Sequence, residues 1–187
     1  LCLKWGVITA TDEIYEHILY DGAKHISMAS LPGMRDQTIT INSISKTYSL
    51  TGWRVGWAIA PEHLTTSIRK VHDFLTVGAP APLQQAAAIG YAYPEEYYAG
   101  MSAAYRARRD YLAGPLRAAG FTFAEPQGAY YFFADFSALS ADDDVTFAKW
   151  MTREIGVATV AIGMARSRRS GRTALMIVSG RIPSASR

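Results

Sequence analysis

The chain has one cysteine, Cys2, in 187 residues. One thiol cannot build a disulfide framework or a cysteine metal site. A reducing, cytoplasmic setting is the default expectation. No apolar run approaches the roughly 20 residues that span a bilayer, so no membrane association is expected. No leader pattern is visible. The first residue is Leu1 rather than methionine, so a start inside a longer protein is expected. There is no Gly-x-Gly-x-x-Gly, and nothing points to a dinucleotide site. His17, His25, His63 and His72 lack metal-ligand spacing with supporting acids, so they read as surface or packing residues and no metal is expected. Acids are missing from one stretch only. Residues 161–187 hold six Arg and no Asp or Glu, while residues 1–160 hold 13 basic and 16 acidic residues. The net charge of +3 therefore belongs to the tail. The body is mildly acidic and gives no electrostatic footprint for nucleic acid.

What is present is a chain 49% hydrophobic, enough for one good core or two small lobes. Gly6–Thr11 and Thr38–Ser43 are short, β-branched and apolar, as strands buried on both faces of a parallel sheet would be. Arg54–Ala60 reads as a third strand. Glu62–Leu75 reads as a helix, with Pro61 at its start and Leu64, Ile68, Val71 and Leu75 on one face. Residues 77–82 are a breaker-rich loop, and an alanine-rich helix follows over about 83–92. Pro94 opens a long helical region to about Ala119, which Gly114-Pro115 should kink or split. Tyr97, Tyr98, Tyr105 and Tyr111 read as one packed face of it. Phe121–Phe123 and Ala129–Asp135 look like paired strands. Asp142–Asp144 lead into a helix with Phe147, Met151 and Ile155 on one side, stopped at Gly156. The predicted class is α/β: a large-domain remainder over 1–90, mostly parallel sheet with helices, then a smaller α+β domain over 91–160. Residues 161–187 form an atypical basic tail.

Polar clusters fall at the carboxyl ends of the predicted strands, where open α/β sheets bind ligands. They are Asp12-Glu13-Ile14-Tyr15, Ser43-Ile44-Ser45-Lys46 and Thr51-Gly52-Trp53-Arg54. Pyridoxal phosphate needs an amine for its aldehyde, a carboxylate for its pyridine nitrogen and a donor for its phenolic oxygen. Its phosphate needs a fixed cation with hydroxyls. Lys46, Asp12, Tyr15, and Arg54 with Ser43 can supply these in turn. Each residue has a plainer reading alone: a solvated lysine, a helix N-cap, a packed tyrosine, a surface cation–π pair. Ser43 and Lys46 also match Ser-x-x-Lys of β-lactamases, but the companion Ser-Asp-Asn and Lys-Thr-Gly motifs are absent.

The segment SISKTYSLTGWRVGWAIAP resembles the signature of fold-type I, class I/II aminotransferases. DEIY at 12–15 stands 34 residues before the lysine, as in that family, and the Pro126–Tyr131 segment is similar to its small-domain strand. The resemblance covers about residues 1–160. It implies that Lys46 forms the Schiff base with pyridoxal phosphate and then moves the substrate proton. It implies that Asp12 pairs with the pyridinium nitrogen and Tyr15 with the phenolic oxygen. Ser43 and Arg54 would hold the phosphate, with Ser45 as an added contact. The expected reaction is transfer of an amino group from an α-amino acid to a 2-oxo acid. A carbon–sulfur lyase and a non-catalytic sensor domain are the alternatives. The expected assembly is a homodimer.

The family's chain is about twice as long and its first half carries further cofactor contacts. This chain is therefore expected to be a fragment, inactive alone. The family ends on a strand whose arginine binds the substrate carboxylate, and Arg172 does not carry that role over. A basic nucleic-acid-binding tail lacks the aromatic interleaving such tails use. A shift of reading frame near Val160 accounts for a stretch without acids or aromatics. Translating the gene's other two frames beyond that codon should restore a family-like ending; two unrelated endings would discard the idea.

Overall fold

The computed structural model describes residues 1–162 and 174–178. The chain divides into two compact units, Leu1–Ala99 and Gly100–Arg187. Among the described residues no helix is long and apolar enough to cross a membrane.

The first unit opens with a short helix α1 (Cys2–Trp5), ended by Gly6 in the left-handed conformation. Strand β1 follows at Thr9–Asp12, shorter than the predicted Gly6–Thr11, because the helical turn and its cap consume the first residues. Strand β2 spans Thr38–Ser43 and β3 spans Gly56–Ile59. The three make one sheet in the order β1-β2-β3. β1 and β2 run parallel, with Asp12 opposite Ile41. β2 and β3 run antiparallel, with Ser43 opposite Gly56. The predicted mostly parallel sheet thus has one pairing of each kind. The 44–55 connection contains only turns and folds back on itself, with the Ile44 N–H donating to the Val55 carbonyl at its base. A connection that does not cross the sheet returns the strand antiparallel.

Gly56 is required by this return. A Cβ there would lie 2.9 Å from the Asn42 carbonyl oxygen. β1 was expected to be buried on both faces, yet it alternates exposed and half-buried. Ile41 and Ile59 are exposed too. Three strands have too few neighbouring elements to cover both faces.

Helix α2 (Glu62–Leu75) lies where its apolar spacing predicts, with Pro61 as N-cap. Helix α3 spans Ala81–Gly90. Ile44, Val55 and Ala87 form a small core under the 44–55 loop, with Tyr48, Trp57 and Leu83 packed on it.

Helix α4 (Glu95–Ala118) runs unbroken through Gly114 and Pro115. The proline deprives the Tyr111 carbonyl of its partner, and Tyr111 is exposed, so solvent can serve that group. The four tyrosines of α4 do not form one face. Tyr97 and Tyr98 pack on Tyr48, Tyr105 stacks on Tyr130, and Tyr111 is exposed.

In the second unit, β4 (Tyr131–Asp135) pairs antiparallel with β6 (Ala174–Val178), which also pairs with β5 (Val160–Ala161). The central strand therefore comes from the basic tail. Of the predicted Phe121–Phe123 strand only a bridge from Thr122 to Asp135 forms. Helix α5 (Asp144–Trp150) is capped by Asp143, whose carboxylate accepts from the Thr146 amide at 2.8 Å. It widens into a π-turn at Met151–Ile155 and stops at Gly156, φ 78°. The extra residue in that turn shifts the phase, which leaves Ile155 exposed rather than beside Phe147 and Met151.

Alternation along β4 and β6 buries Phe132, Ala134, Leu175 and Ile177. Phe136 lies beneath them, fully buried, its ring stacked on Phe147 with centroids 4.1 Å apart. Phe136→Ala should cost about 3–5 kcal/mol of unfolding free energy, measured by chemical denaturation. A loss below about 1 kcal/mol would show that this ring pair is not central to the unit.

Candidate functional site

Parallel pairing brings the carboxyl ends of β1 and β2 to the same end of the sheet. The 44–55 loop starts there and returns there as β3. A cavity of about 950 Å³ opens at this end, within the usual size of small-molecule sites. Asp12, Ser43, Ser45, Lys46 and Arg54 all line it. Tyr15 does not; it sits half-buried in the turn that follows β1.

Each lining residue is held by its local structure. Asp12 ends β1, exposed, and its carboxylate accepts from the Ile14 amide at 3.2 Å. Ser43 ends β2 and its hydroxyl accepts from the Ser45 amide at 3.1 Å. Lys46 is half-buried between two buried neighbours, Ser45 and Thr47. Arg54 adopts φ 56° and Ser49 also φ 56°. Left-handed backbone costs a non-glycine residue on the order of 1 kcal/mol. The Arg54 guanidinium donates to the Thr51 carbonyl at 2.9 Å.

Asp12 and Glu13 show why strand alternation matters. Asp12 opens on the cavity, while Glu13 is buried. The Glu13 carboxylate accepts from Thr11 Oγ1 (2.9 Å), Ser27 Oγ (3.1 Å) and the Met28 amide (3.1 Å), and lies 2.8 Å from His25 Nε2. Burial alone would raise its pKa. The hydrogen bonds from His25, Thr11, Ser27 and Met28 outweigh burial and hold it below the ordinary 4.5. Glu13 thus ties residues 25–28 to the end of β1.

Several cavity residues lie outside the three sequence clusters. Asn42 donates to Glu16 at 2.6 Å and accepts from the Ser43 amide at 2.7 Å. Thr65, Ile68, Arg69 and His72 come from one face of α2. Ile68 is shared with the predicted apolar face, while Thr65, Arg69 and His72 lie beside that face and carry no apolar signal. Thr51 was inside the quoted motif, and its hydroxyl donates to the Ser45 carbonyl at 2.9 Å. Arg172 lies outside the described residues. Among the described residues no cluster of His, Cys, Asp or Glu could hold a metal ion.

Chemically the cavity offers an amine, a carboxylate, two guanidinium groups and several hydroxyls. The amine suits an aldehyde, the carboxylate a protonated ring nitrogen, and the cations with hydroxyls a phosphate.

The sequence from residue 1 to 177 matches the profile of the family described as aminotransferase class I and II. Methionine aminotransferase of Escherichia coli is 35% identical, over 84% of this chain and 41% of that protein. Human kynurenine–oxoglutarate transaminase 1 is 34% identical, over 88% of this chain and 43% of that protein. The solved structure of N-succinyldiaminopimelate aminotransferase from Mycobacterium tuberculosis superposes with a TM-score of 0.86 at 31% identity, over 95% of this chain and 46% of the other. The chain spans less than half the length of these relatives. The profile match runs beyond residue 160 into the basic tail.

Stability should reflect the Glu13 network. A carboxyl whose folded pKa is depressed stabilises the fold fully above its unfolded pKa, and that share is lost as pH falls below 4.5. Glu13→Gln should destabilise the chain by about 1–3 kcal/mol at neutral pH. The gap between the two proteins should shrink below pH 4.5. Thermal midpoints across pH would show it, and a constant gap would mean that Glu13 is not held ionised.

Proposed function

This chain belongs to the aminotransferase class I and II family, and on that premise we propose that it carries the cofactor-binding part of an enzyme that transfers an amino group from an α-amino acid to a 2-oxo acid. Members of the family use pyridoxal phosphate. The observation that carries the reading is the joint opening of Asp12, Ser43, Lys46 and Arg54 on one cavity. That donor set answers three parts of the group: the amine its aldehyde, the carboxylate its pyridine nitrogen, and the hydroxyl and guanidinium its phosphate.

When bound, pyridoxal phosphate supplies an electron sink for charge developing at the substrate α-carbon. Lys46 Nζ would hold the cofactor through its aldehyde and, as an amine, would take and return the proton at the substrate α-carbon. The Asp12 carboxylate keeps the pyridine nitrogen protonated by opposite charge. The Arg54 guanidinium and the Ser43 hydroxyl hold the phosphate, and Ser45 adds a contact from its buried position. Its place in the motif assigns Tyr15 to the phenolic oxygen.

Turnover is assigned to the whole protein. The relatives are more than twice as long, so the 187 residues are proposed to be inactive alone. The complete enzyme is proposed to be a cytoplasmic homodimer.

The test is incubation of the chain with pyridoxal phosphate, borohydride reduction and peptide mapping. A visible imine band should appear before reduction and the pyridoxyl label should sit on Lys46 after it; Lys46→Ala should lose both. Arg54→Lys should weaken cofactor binding about tenfold or more, because a bidentate fork becomes a point charge. A Lys46→Ala protein that keeps the band would overturn the reading.

A further inference from the structure

The peptide carbonyls on either side of Lys46 are both held by hydroxyls from other parts of the first unit. Thr51 Oγ1 donates to the Ser45 carbonyl at 2.9 Å. Tyr97 Oη, from the first turn of α4, donates to the Thr47 carbonyl at 2.8 Å. Thr51 is five residues along from Lys46, and Tyr97 is 51 along. No strand ladder reaches this segment. Two turn contacts also hold it, from the Tyr48 amide to the Ile44 carbonyl and from the Ser49 amide to the Lys46 carbonyl, both 3.2 Å.

The hydroxyl of Tyr97 is itself placed by packing. The ring stacks on Tyr48 at 5.9 Å, meets Tyr93 at 4.8 Å and crosses Tyr98 edge-on at 5.5 Å. Tyr48 Oη and Tyr98 Oη share a separate hydrogen bond of 2.9 Å. Two adjacent tyrosines of α4 therefore do different things. Tyr98 joins ring to ring inside the aromatic cluster. Tyr97 reaches the backbone of the lysine loop.

We propose that Tyr97 and Thr51 are positioning residues for Lys46, gripping the carbonyls before and after it so that its amine is presented to the cavity in one orientation. The proposal rests on the reading of Lys46 as the amine that takes the cofactor aldehyde. A side chain that must bond one atom and then move a proton at another gains most from a fixed backbone origin. The loop needs such grips because it includes a strained left-handed residue, Ser49. Thr51 also lines the cavity, whereas Tyr97 acts from outside it.

The experiment compares the full 187-residue chain with Tyr97→Phe, Thr51→Val, Thr51→Ser and Tyr98→Phe. The first readout is the rate at which pyridoxal phosphate with borohydride labels Lys46. One lost hydrogen bond corresponds to about a three- to tenfold slowing, expected for Tyr97→Phe and Thr51→Val. Thr51→Ser restores the hydroxyl and should restore the rate. Tyr98→Phe removes a hydroxyl from the same cluster and should label as fast as the unsubstituted chain. The second readout needs no cofactor: acetylation of Lys46 by acetic anhydride, measured against the exposed Lys24 of the same molecule. That ratio should change in the first two variants and hold in the others. If no protein takes the pyridoxyl label while the ratio still responds, the cofactor reading fails and the positioning stands. An unchanged ratio in both Tyr97→Phe and Thr51→Val overturns the positioning. So does an equal response in Tyr98→Phe, which would reduce the effect to the packing of the cluster.

Discussion

Parallel pairing of β1 with β2, with Asp12 opposite Ile41, decides where every other part of the site can be. Strands that run the same way end on the same side of the sheet. The carboxylate that closes one strand then faces the loop that leaves the other. The next amide continues the pairing: the Glu13 N–H donates to the Ile41 carbonyl at 2.9 Å. A slip of one residue would turn Asp12 away from the cavity and Glu13 toward it. The Glu13 network resists that slip, because its carboxylate has four partners that only the inward orientation provides.

The second constraint is the loop between β2 and β3. It must leave the sheet, present Lys46, and return within twelve residues carrying Arg54 to the same end. Ile44 at its start and Val55 at its end are both buried in one small core. Gly56 lets the returning strand approach the Asn42 carbonyl. Between these anchors the backbone accepts left-handed geometry at Ser49 and Arg54. Tyr97 of α4 holds the loop from outside through the Thr47 carbonyl. Burial drives the pKa of Tyr48 well above its ordinary value, and its contact with Tyr98 adds to this. Burial, and then the Glu16 carboxylate, push Tyr91 up to about 12. These hydroxyls therefore stay protonated at neutral pH and remain able to donate.

Much of the site was legible because its residues are close in sequence. Ser43, Ser45, Lys46, Thr51 and Arg54 fall in one twelve-residue stretch, and Asp12 closes an apolar run. Helix α2 was legible from its apolar spacing. Three features were not. The antiparallel return of β3 depends on how the loop folds, which composition does not encode. The contribution of Arg69 and His72 depends on which face of α2 meets the sheet. The strand at Ala174–Val178 lay inside a stretch whose arginine and serine content masked an apolar run.

The sequence by itself determined the chemistry on offer: one amine, one carboxylate and one guanidinium at strand ends, in an order and spacing that resemble those of the class I and II aminotransferases. It also determined which segments could be strands or helices, through the periodicity of their apolar residues. Only the tertiary structure decided that Asp12 opens on the cavity while Glu13 is buried, and that Tyr15 lies outside the cavity lining. Only it brought Tyr97 to the backbone beside Lys46. The reason is physical. Residue types and local spacing act within a few turns of chain, whereas strand register, loop return and helix facing are set by contacts between residues tens of positions apart.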